Sequence, residues 1–519
     1  SGEVVITATV GGVSEDVTIT VKAPTTMEVA FAEGSKDLIK VGDTTTLNAT
    51  VAWNKDCIVW SSSNVAVATV ENGVVTGKAS GEVTITATVE GLTVEKTIYV
   101  VGGLNSDQIG SRVGGYQYQD KPAYFNMATD AQGNMTITAA LSDSAAYYPM
   151  LMLRNMNSKA YYQKLIDNGY TKLTFMLGVG GDNAADVSDL YVFGTKLTNF
   201  PKGSENGTYA VTVDVQHILT YYDNIYGIAT STGQAGQSGS LDKMFIAWKS
   251  PLTWAGTRNY VFTISNIGYR QGVLFSDNIG MRVNGWNMTT NSTYMSMDIG
   301  TEGEMIITAN WQAYTNYGPA LVLKNIESKE YYQNLINNGI TYLTFDLKVD
   351  GADADKLSDV HILGSAQKVA ECTQENGVYK VKIQLAHIVQ FYDTITTLDT
   401  SGSQAGQWGS RSALLLAWRF STNFATVPAQ ATRNYVFTIS NAAFMPAATL
   451  EVTADKTELA YGETATLTAT TNWGANNVVW STSDKTIATV VNGVVSVTGE
   501  VSGEVVITAT VGGVSEDVT

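Results

Sequence analysis

The strongest constraint on the fold of this chain is internal repetition. Residues 1–18, SGEVVITATVGGVSEDVT, recur unchanged as residues 502–519. A match of this length marks a repeated module, and 519 residues are enough for several domains. The repeats therefore indicate where the domains of this chain begin and end.

Two outer segments share one pattern of short strands. Both contain V-W-S-S/T-S, then A-T-V, N-G-V-V and G-E-V-x-I-T-A. Alternating apolar and polar residues with NG and SG turns predict a β-sandwich of roughly 75–80 residues. The pattern resembles the group 2 bacterial immunoglobulin-like (BIG2) domain over residues 25–101 and 446–519. The resemblance implies a spacer module of secreted or surface proteins, with Trp60 and Trp480 in its core.

The first residues repeat the end of this module. GEVVITATVGGVSEDVTITV at 2–21 parallels GEVTITATVEGLTVEKTIYV at 81–100. Residues 1–24 are therefore predicted to be the C-terminal remnant of an Ig-like domain, and the copy at 446–519 is predicted to lack its last strand. We expect the remnant either to pair with the C-terminal Ig-like domain of a neighbouring chain or to lack fixed structure.

The middle of the chain is a duplication. SDQIGSRVGG at 106–115 matches SDNIGMRVNG at 276–285, an offset of 170 residues that holds until a five-residue insertion before Arg433. We predict two copies of one domain, lobe 1 at 104–270 and lobe 2 at 273–445.

Each lobe reads mostly as strand, with two short helices. Ser158 is a predicted N-cap and Gly169 a predicted helix end, and a second helix is predicted from Asp214. The segments MFIAWK and LLLAWR are apolar on both faces, which indicates central strands. The predicted fold class is all-β dominated, with Ig-like β-sandwiches flanking two tandem jelly-roll-like β-sandwich lobes that carry small helices.

The amino-acid composition indicates which classes of binding partner the chain can have. Only 15% of residues are charged and the net charge is −17, which argues against nucleic acid and anionic membranes. A neutral polar surface suits neutral ligands. Cys57 and Cys372 lie in different predicted domains, so we expect two buried thiols and neither a disulfide framework nor a thiolate metal site.

No catalytic signature is visible. The three histidines, His217, His361 and His387, have no Cys or His neighbour at ligand spacing, and a structural role is favoured. The loop DGADADKLSD at 350–359 could offer oxygen ligands to calcium, but it lacks EF-hand spacing, and a solvated loop is favoured. We expect no enzyme activity, no cofactor and no metal.

Aromatic residues on polar loops point to a ligand. Such residues alternate with Gln, Asn, Asp and Ser, although each could instead cover an edge of the core. Gln237 and Gln407 of the two QAGQ segments are added as hydrogen-bonding groups. The candidate aromatic residues are Tyr116, Tyr118, Tyr147, Tyr148 and Trp254 in lobe 1, and Trp286, Trp311, Tyr314, Tyr317 and Trp408 in lobe 2.

This chemistry favours a sugar. A flat aromatic ring covers the apolar C–H face of a pyranose, while amide, carboxylate and guanidinium groups satisfy its hydroxyls. Arg112 and Arg282 share a strand face with Tyr116 and Trp286, four residues away. Each could bind a hydroxyl or pair with Asp107 or Asp277, and pairing is favoured.

The paired lobes are similar to the bilobed starch-binding domain of starch adherence system proteins in amylosomes, over about residues 104–445. The resemblance rests on the duplicated sandwich-plus-helix organisation and the Tyr/Trp loops. It implies noncatalytic binding of starch or maltooligosaccharide by a secreted or cell-surface protein of a gut bacterium, with other modules of a multi-protein complex as further partners. The alternatives are a surface adhesin for a host glycan or protein and, least favoured, an enzyme.

Overall fold

The computed structural model describes most of the chain, and the segments that it describes are 1–113, 116–117, 124–141, 150–230, 238–249, 256–283, 286–287, 294–312, 320–363, 367–369, 372–400, 412–420, 432–499 and 501–519. The chain divides into two compact units. The first contains residues 1–199 and 211–271, and the second contains 200–210 and 272–519. β-Strands make up most of the regular structure, as predicted.

The N-terminal residues form a regular two-stranded hairpin, with β1 at Gly2–Val10 and β2 at Val13–Val21. The prediction that they lack fixed structure is therefore wrong. Alternation places all of the apolar residues except Val5 on one face, and all of them are exposed. The α-amino group of Ser1 lies 3.0 Å from the Glu90 carboxylate. Pairing with a neighbouring chain stays a prediction.

Residues 27–101 form the first outer sandwich, which consists of two four-stranded sheets. The sheet orders are β3-β5-β8-β7 and β4-β10-β9-β6. Inward alternation along β9 buries Val83, Ile85, Ala87 and Val89, and Trp60 packs against this core while staying partly exposed. The strands are β3 Met27–Phe31, β4 Leu38–Lys40, β5 Thr44–Val51, β6 Val59–Ser62, β7 Ala68–Glu71, β8 Val74–Gly77, β9 Gly81–Val89 and β10 Leu92–Val101.

One expectation fails in this sandwich. Cys57 is exposed, whereas Cys372 in the second lobe is buried. The reason is local, because Cys57 ends a single 3₁₀ turn, Lys55–Cys57, that connects two strands outside the core.

The first lobe is a sandwich of a six-stranded sheet, β12-β11-β15-β20-β17-β18, and a five-stranded sheet, β13-β14-β21-β16-β19. Trp248 on the central strand β20 is fully buried and lies 4.5 Å from Phe262 of the facing sheet, between ring centroids. The elements are β11 Ile109–Val113, β12 Tyr116–Gln117, β13 Phe125–Thr129, β14 Met135–Leu141, β15 Met150–Leu153, α1 Lys159–Asp167, β16 Tyr170–Gly180, β17 Asp189–Val192, β18 Thr195–Lys196, β19 Thr208–Asp214, α2 Val215–Thr220, α3 Tyr222–Thr230, β20 Ile246–Lys249 and β21 Arg258–Gln271.

The second lobe repeats this architecture, with sheets β23-β22-β26-β32-β28-β29 and β24-β25-β33-β27-β31-β30. Trp418 takes the place of Trp248 and lies 4.6 Å from Phe437, between ring centroids. The elements are β22 Ile279–Val283, β23 Trp286–Asn287, β24 Met295–Ile299, β25 Met305–Gln312, β26 Ala320–Leu323, α4 Lys329–Asn337, β27 Ile340–Asp350, β28 Leu357–Ile362, β29 Gln367–Lys368, β30 Thr373–Glu375, β31 Val378–Gln384, α5 Leu385–Gln390, α6 Tyr392–Thr400, β32 Leu414–Phe420 and β33 Thr432–Pro446.

Residues 450–518 form the second outer sandwich, with sheets β34-β35-β38-β37 and β36-β39-β40. Its last hairpin has the same sequence and pairing register as β1–β2, but here Ile507, Ala509 and Val511 are buried. None of the helices in the described ranges is long and apolar enough to cross a membrane. The strands are β34 Leu450–Ala454, β35 Thr464–Thr471, β36 Val479–Thr482, β37 Ala488–Val491, β38 Val494–Val497, β39 Ile507–Val511 and β40 Val514–Val518.

Candidate functional site

The segments that carry the predicted site residues of the first lobe start from one end of its sandwich. In the six-stranded sheet, Arg112 pairs with Met150 and Met150 pairs with Ala247. The end of β11, the start of β15 and the end of β20 therefore lie side by side. Three of the segments without described structure are attached at this row.

The facing sheet ends at the same place. Leu141, the last residue of β14, pairs with Arg258, the first residue of β21. The chain passes from β14 to β15 through residues 142–149, and from β20 to β21 through 250–257. Both connections join the two sheets at one end, so their attachment points surround a single surface, which we call the open end of the lobe.

A buried arginine ties the fourth segment to this end. Residues 231–237 follow α3, which ends at Thr230. Arg112 Nη1 donates a hydrogen bond to the main-chain carbonyl of Ile228, in the last turn of α3. The guanidinium group therefore holds the end of α3 beside β11, and this contact fixes where the QAGQ segment begins.

The second lobe has the same open end. Arg282 pairs with Ala320, and Ala320 pairs with Ala417. Arg282 Nη1 donates to the carbonyl of Leu398 in α6, the counterpart of the contact between Arg112 and Ile228. The last residue of β25 pairs with the first residue of β33. Two lobes that differ in detail thus anchor the corresponding segments in the same way.

The predicted aromatic and glutamine residues of the open ends fall into two groups. Tyr116, Trp286 and Trp311 are described only by their strand backbone, in which Tyr116 pairs with Val113 and Trp286 with Val283. The prediction that Arg112 and Arg282 share a strand face with Tyr116 and Trp286 is wrong, because each pair lies on two successive antiparallel strands and the arginines pair with Gln117 and Asn287 instead. Nine predicted residues lie outside the described residues, namely Tyr118, Tyr147, Tyr148, Gln237, Trp254, Tyr314, Tyr317, Gln407 and Trp408.

The two arginines are fully buried. Burial lowers the pKa of Arg112, because an apolar environment disfavours the charged form. One hydrogen bond of each side chain goes to a main-chain carbonyl, and pairing with Asp107 or Asp277 stays a prediction. Burial and helix contact favour a structural role for both side chains.

The histidines on the second helix of each lobe have structural contacts. His217 Nε2 lies 2.6 Å from the carbonyl oxygen of Asp242, and His387 Nε2 lies 2.8 Å from that of Ser412. Each imidazole joins its helix to the segment before the central strand. These contacts agree with the structural role that the sequence favoured.

The acidic loop 350–359 also has a structural contact, which corrects the prediction of a solvated loop at one position. Asp353 is buried and accepts hydrogen bonds from Arg433 Nη1 and from the main-chain N–H of Asn434, both at 2.9 Å. The carboxylate therefore holds the loop against β33. Within the described residues, no group of three or more His, Cys, Asp or Glu side chains could hold a metal ion.

A cavity of about 430 Å³ lies inside the second compact unit, at a place where the sequence predicts no site. The outward face of β27 and β31 forms one wall, and the second outer sandwich forms the other. The only sequence signal was alternation, since FDLK and KVK place charged residues on one strand face. Its lining includes Thr344, Asp346, Lys380, Lys382, Asn441, Trp473, Asn477 and Gly512.

Comparison with known proteins adds one family. Residues 34–100 match the bacterial Ig-like domain (group 2), and such domains are typical of extracellular or surface bacterial proteins. No curated protein matches the chain. Among solved structures, α-2-macroglobulin of Escherichia coli activated by porcine elastase aligns at 9% identity over 86% of this chain, with a TM-score of 0.11. The chain spans about a third of that protein, 33% of its length. Residues 34–100 are thus a group 2 bacterial immunoglobulin-like domain.

Proposed function

We propose that the two lobes bind carbohydrate without catalysis, through the aromatic segments at their open ends, and that the ligand is starch or a related α-1,4-glucan. The observation that carries this proposal is convergence. In each lobe, four segments that are separate in sequence are attached around one end of a sandwich. Their Trp, Tyr and Gln residues are the side chains that suit a pyranose.

The arrangement of two lobes in one chain supports a polysaccharide over a single sugar. A long glucan offers many equivalent units, so a second lobe can bind once the first has done so. The gain in apparent affinity from such tethering reaches ~10²–10⁴ when the geometry allows both lobes to engage. Attachment to a group 2 Ig-like domain fits a secreted or cell-surface protein that holds onto substrate within a starch adherence system.

Affinity electrophoresis of the full chain in gels containing amylopectin tests the proposal. The chain should be retarded, and changing Trp286, Trp311 and Trp408 to Ala should reduce the retardation. Tyr461→Ala is a matched control, since Tyr461 is an aromatic residue 81% exposed in the second outer sandwich. No retardation would refute glucan binding, and retardation that the triple variant leaves intact would refute Trp286, Trp311 and Trp408 as its binding residues.

A surface adhesin is the second candidate, because the Ig-like domain type is common on bacterial surfaces. It predicts binding to mucin or a matrix protein that survives competition by soluble glycans. Reducing-sugar release from starch by the chain would instead indicate an enzyme, which the lack of a catalytic constellation in the sequence disfavours.

A further inference from the structure

The outward face of β27 and β31 carries three charged side chains that meet inside the cavity. Asp346 and Lys380 are cross-strand partners, and their Oδ1 and Nζ atoms lie 3.0 Å apart. Asn441 Nδ2 donates to the Asp346 carboxylate at 2.9 Å. Lys382 lies two residues beyond Lys380 on the same face of β31. The wall is thus built from an ordered network of polar groups.

The second outer sandwich provides the opposite wall. Lys382 Nζ donates to the carbonyl of Gly512 at 2.6 Å and lies 4.8 Å from the ring centroid of Tyr342. Gly512 has φ +55°, and a Cβ there would lie 3.1 Å from the indole of Trp473, so glycine permits this close approach. Trp473 and Asn477 complete the lining from this side.

The first lobe shows that the fold does not require these charges. Its corresponding positions are Met176, Ala210 and Thr212, all buried and uncharged. The same strands therefore form with uncharged side chains on this face. Only 15% of the chain is charged, so three charged residues in one cavity of the second lobe call for a role other than folding.

The lining specifies a ligand chemistry. It combines two ammonium groups and one carboxylate with two carboxamides and an indole. The excess positive charge, in a chain of net charge −17, favours an anion. Carboxamides and a carboxylate suit hydroxyl groups, an indole suits an apolar face, and a volume of about 430 Å³ falls in the usual range for small-molecule sites.

We infer that this cavity binds a small polyhydroxylated carboxylate of the hexuronic acid type. Lys380 and Lys382 would hold its carboxylate, and Asn441 and Asn477 would hold its hydroxyls. Burial lowers the pKa of Lys382, and a bound anion would favour its charged form again. The second outer sandwich is then part of a binding site as well as a spacer.

This site differs from the one under the proposed function. Asn441 is nine residues along β33 from Thr432 at the open end, a separation of about 30 Å on an extended strand. The inference is therefore independent of glucan binding, and each can fail alone.

Isothermal titration calorimetry of the full chain with sodium D-galacturonate and sodium D-glucuronate tests this site, with D-galactose and D-glucose as uncharged partners. At least one uronate should bind, with the matching neutral sugar at least tenfold weaker. Lys382→Met, which keeps the aliphatic stem, should weaken uronate binding at least tenfold. Lys348→Met is the control, because Lys348 lies on β27 outside the lining and pairs with Asp350.

Asn477→Ala provides a second variant that leaves Lys382 and its contact with Gly512 in place. It should weaken uronate binding even if Lys382→Met loosens the second outer sandwich. No uronate binding, equal binding of the neutral sugars, or unchanged binding by both variants would overturn the inference. Amylopectin retardation should be unaffected by either substitution.

Discussion

The hydroxyl groups of Ser80 and Tyr161 lie 2.7 Å apart, both buried, and they join the first outer sandwich to the first lobe. Tyr161 also donates to the carbonyl of Val100 at 3.0 Å, so its hydrogen is committed there and Ser80 is the donor between the two hydroxyls. Nearby, Glu82 accepts hydrogen bonds from the hydroxyl and main-chain N–H of Ser158, the N-cap of α1. Within the first unit, the Ig-like domain is docked onto the lobe.

Replacing Tyr161 with Phe should destabilise this joint by about 1–3 kcal/mol, because Ser80 and the Val100 carbonyl each lose a buried partner. Hydrogen exchange of the α1 backbone amides measures the free energy of local unfolding at this contact. Tyr331→Phe is the control, since Tyr331 holds the same position in the second lobe but is 39% exposed. Equal effects of the two substitutions would show that the hydrogen bond between Ser80 and Tyr161 does not stabilise this contact.

Alkaline pH should destabilise the first unit through its tyrosines. Burial raises the pKa of Tyr161, Tyr162 and Tyr269, whose rings lie within 6.3 Å of one another. In the unfolded chain these phenols ionise near their ordinary pKa of about 10. Below that pH their contribution to stability is complete. Above it the unfolded state loses protons that the folded state retains, so the free energy of unfolding falls.

Tyrosinate absorbance and circular dichroism recorded from pH 8 to 12 measure this effect. Tyr269→Phe is a conservative test, because Phe444 occupies that position in the second lobe. In this variant, the free energy of unfolding should fall less steeply as the pH rises. Ionisation of these phenols near pH 10 without any loss of structure would show that they are not buried.

Gly73→Ala should destabilise the first outer sandwich by about 2–4 kcal/mol. Gly73 has φ +83°, and an added Cβ would collide with the carbonyl oxygen of Leu47, whose own N–H donates to Gly73. Gly91 is the matched control, because it has the same φ of +83° with open space around it. Gly91→Ala should cost about 1–2 kcal/mol from backbone strain alone. Hydrogen exchange at the Leu47 amide, which donates to Gly73, should be faster in the Gly73→Ala variant than in the Gly91→Ala variant.

The lobes should contribute unequally to glucan binding. Trp286 and Trp408 of the second lobe correspond to Tyr116 and Ser238 of the first. Changing Trp286 to Tyr and Trp408 to Ser should weaken binding at least about fivefold, roughly 1 kcal/mol, by removing aromatic surface. Ser238→Trp should strengthen it. Calorimetry with maltoheptaose on the full chain measures the affinity of each variant. Unchanged affinities would show that these indoles are not part of the binding site.

Local features of the fold were predictable from the sequence because they depend on near neighbours. Ser158 accepts from the N–H of Tyr161 at 3.2 Å and Gly169 has φ +82°, so α1 begins and ends where capping residues predict. The second helix was predicted as one element from Asp214. It is interrupted at Tyr221, which packs on His217 with ring centroids 4.8 Å apart. Apolar spacing cannot reveal a one-residue break.

The cavity was beyond sequence reasoning for a physical reason. It depends on Lys382 meeting Gly512, two residues that are 130 positions apart. The local sequences around Lys382 and Gly512, KVK and VGGV, do not indicate which sandwich face packs against which loop. The role of Arg112 was similarly hidden, since its partner, Ile228, is 116 positions away on another element. At the open ends, the sequence named residue types and the strand registers supplied their common location.

The hairpin at residues 2–21 indicates how the outer sandwiches fold. Its twin at 507–518 has the same cross-strand partners and the same contact between Thr and Asp side chains, 2.6 Å at Thr7–Asp16 and 2.7 Å at Thr508–Asp517. Yet Ile6 is 53% exposed and Ile507 only 4%. The shape of the hairpin is therefore independent of burial. Hairpins close within about 1–10 μs, so this element can form first and serve as the template on which the remaining strands of each outer sandwich assemble.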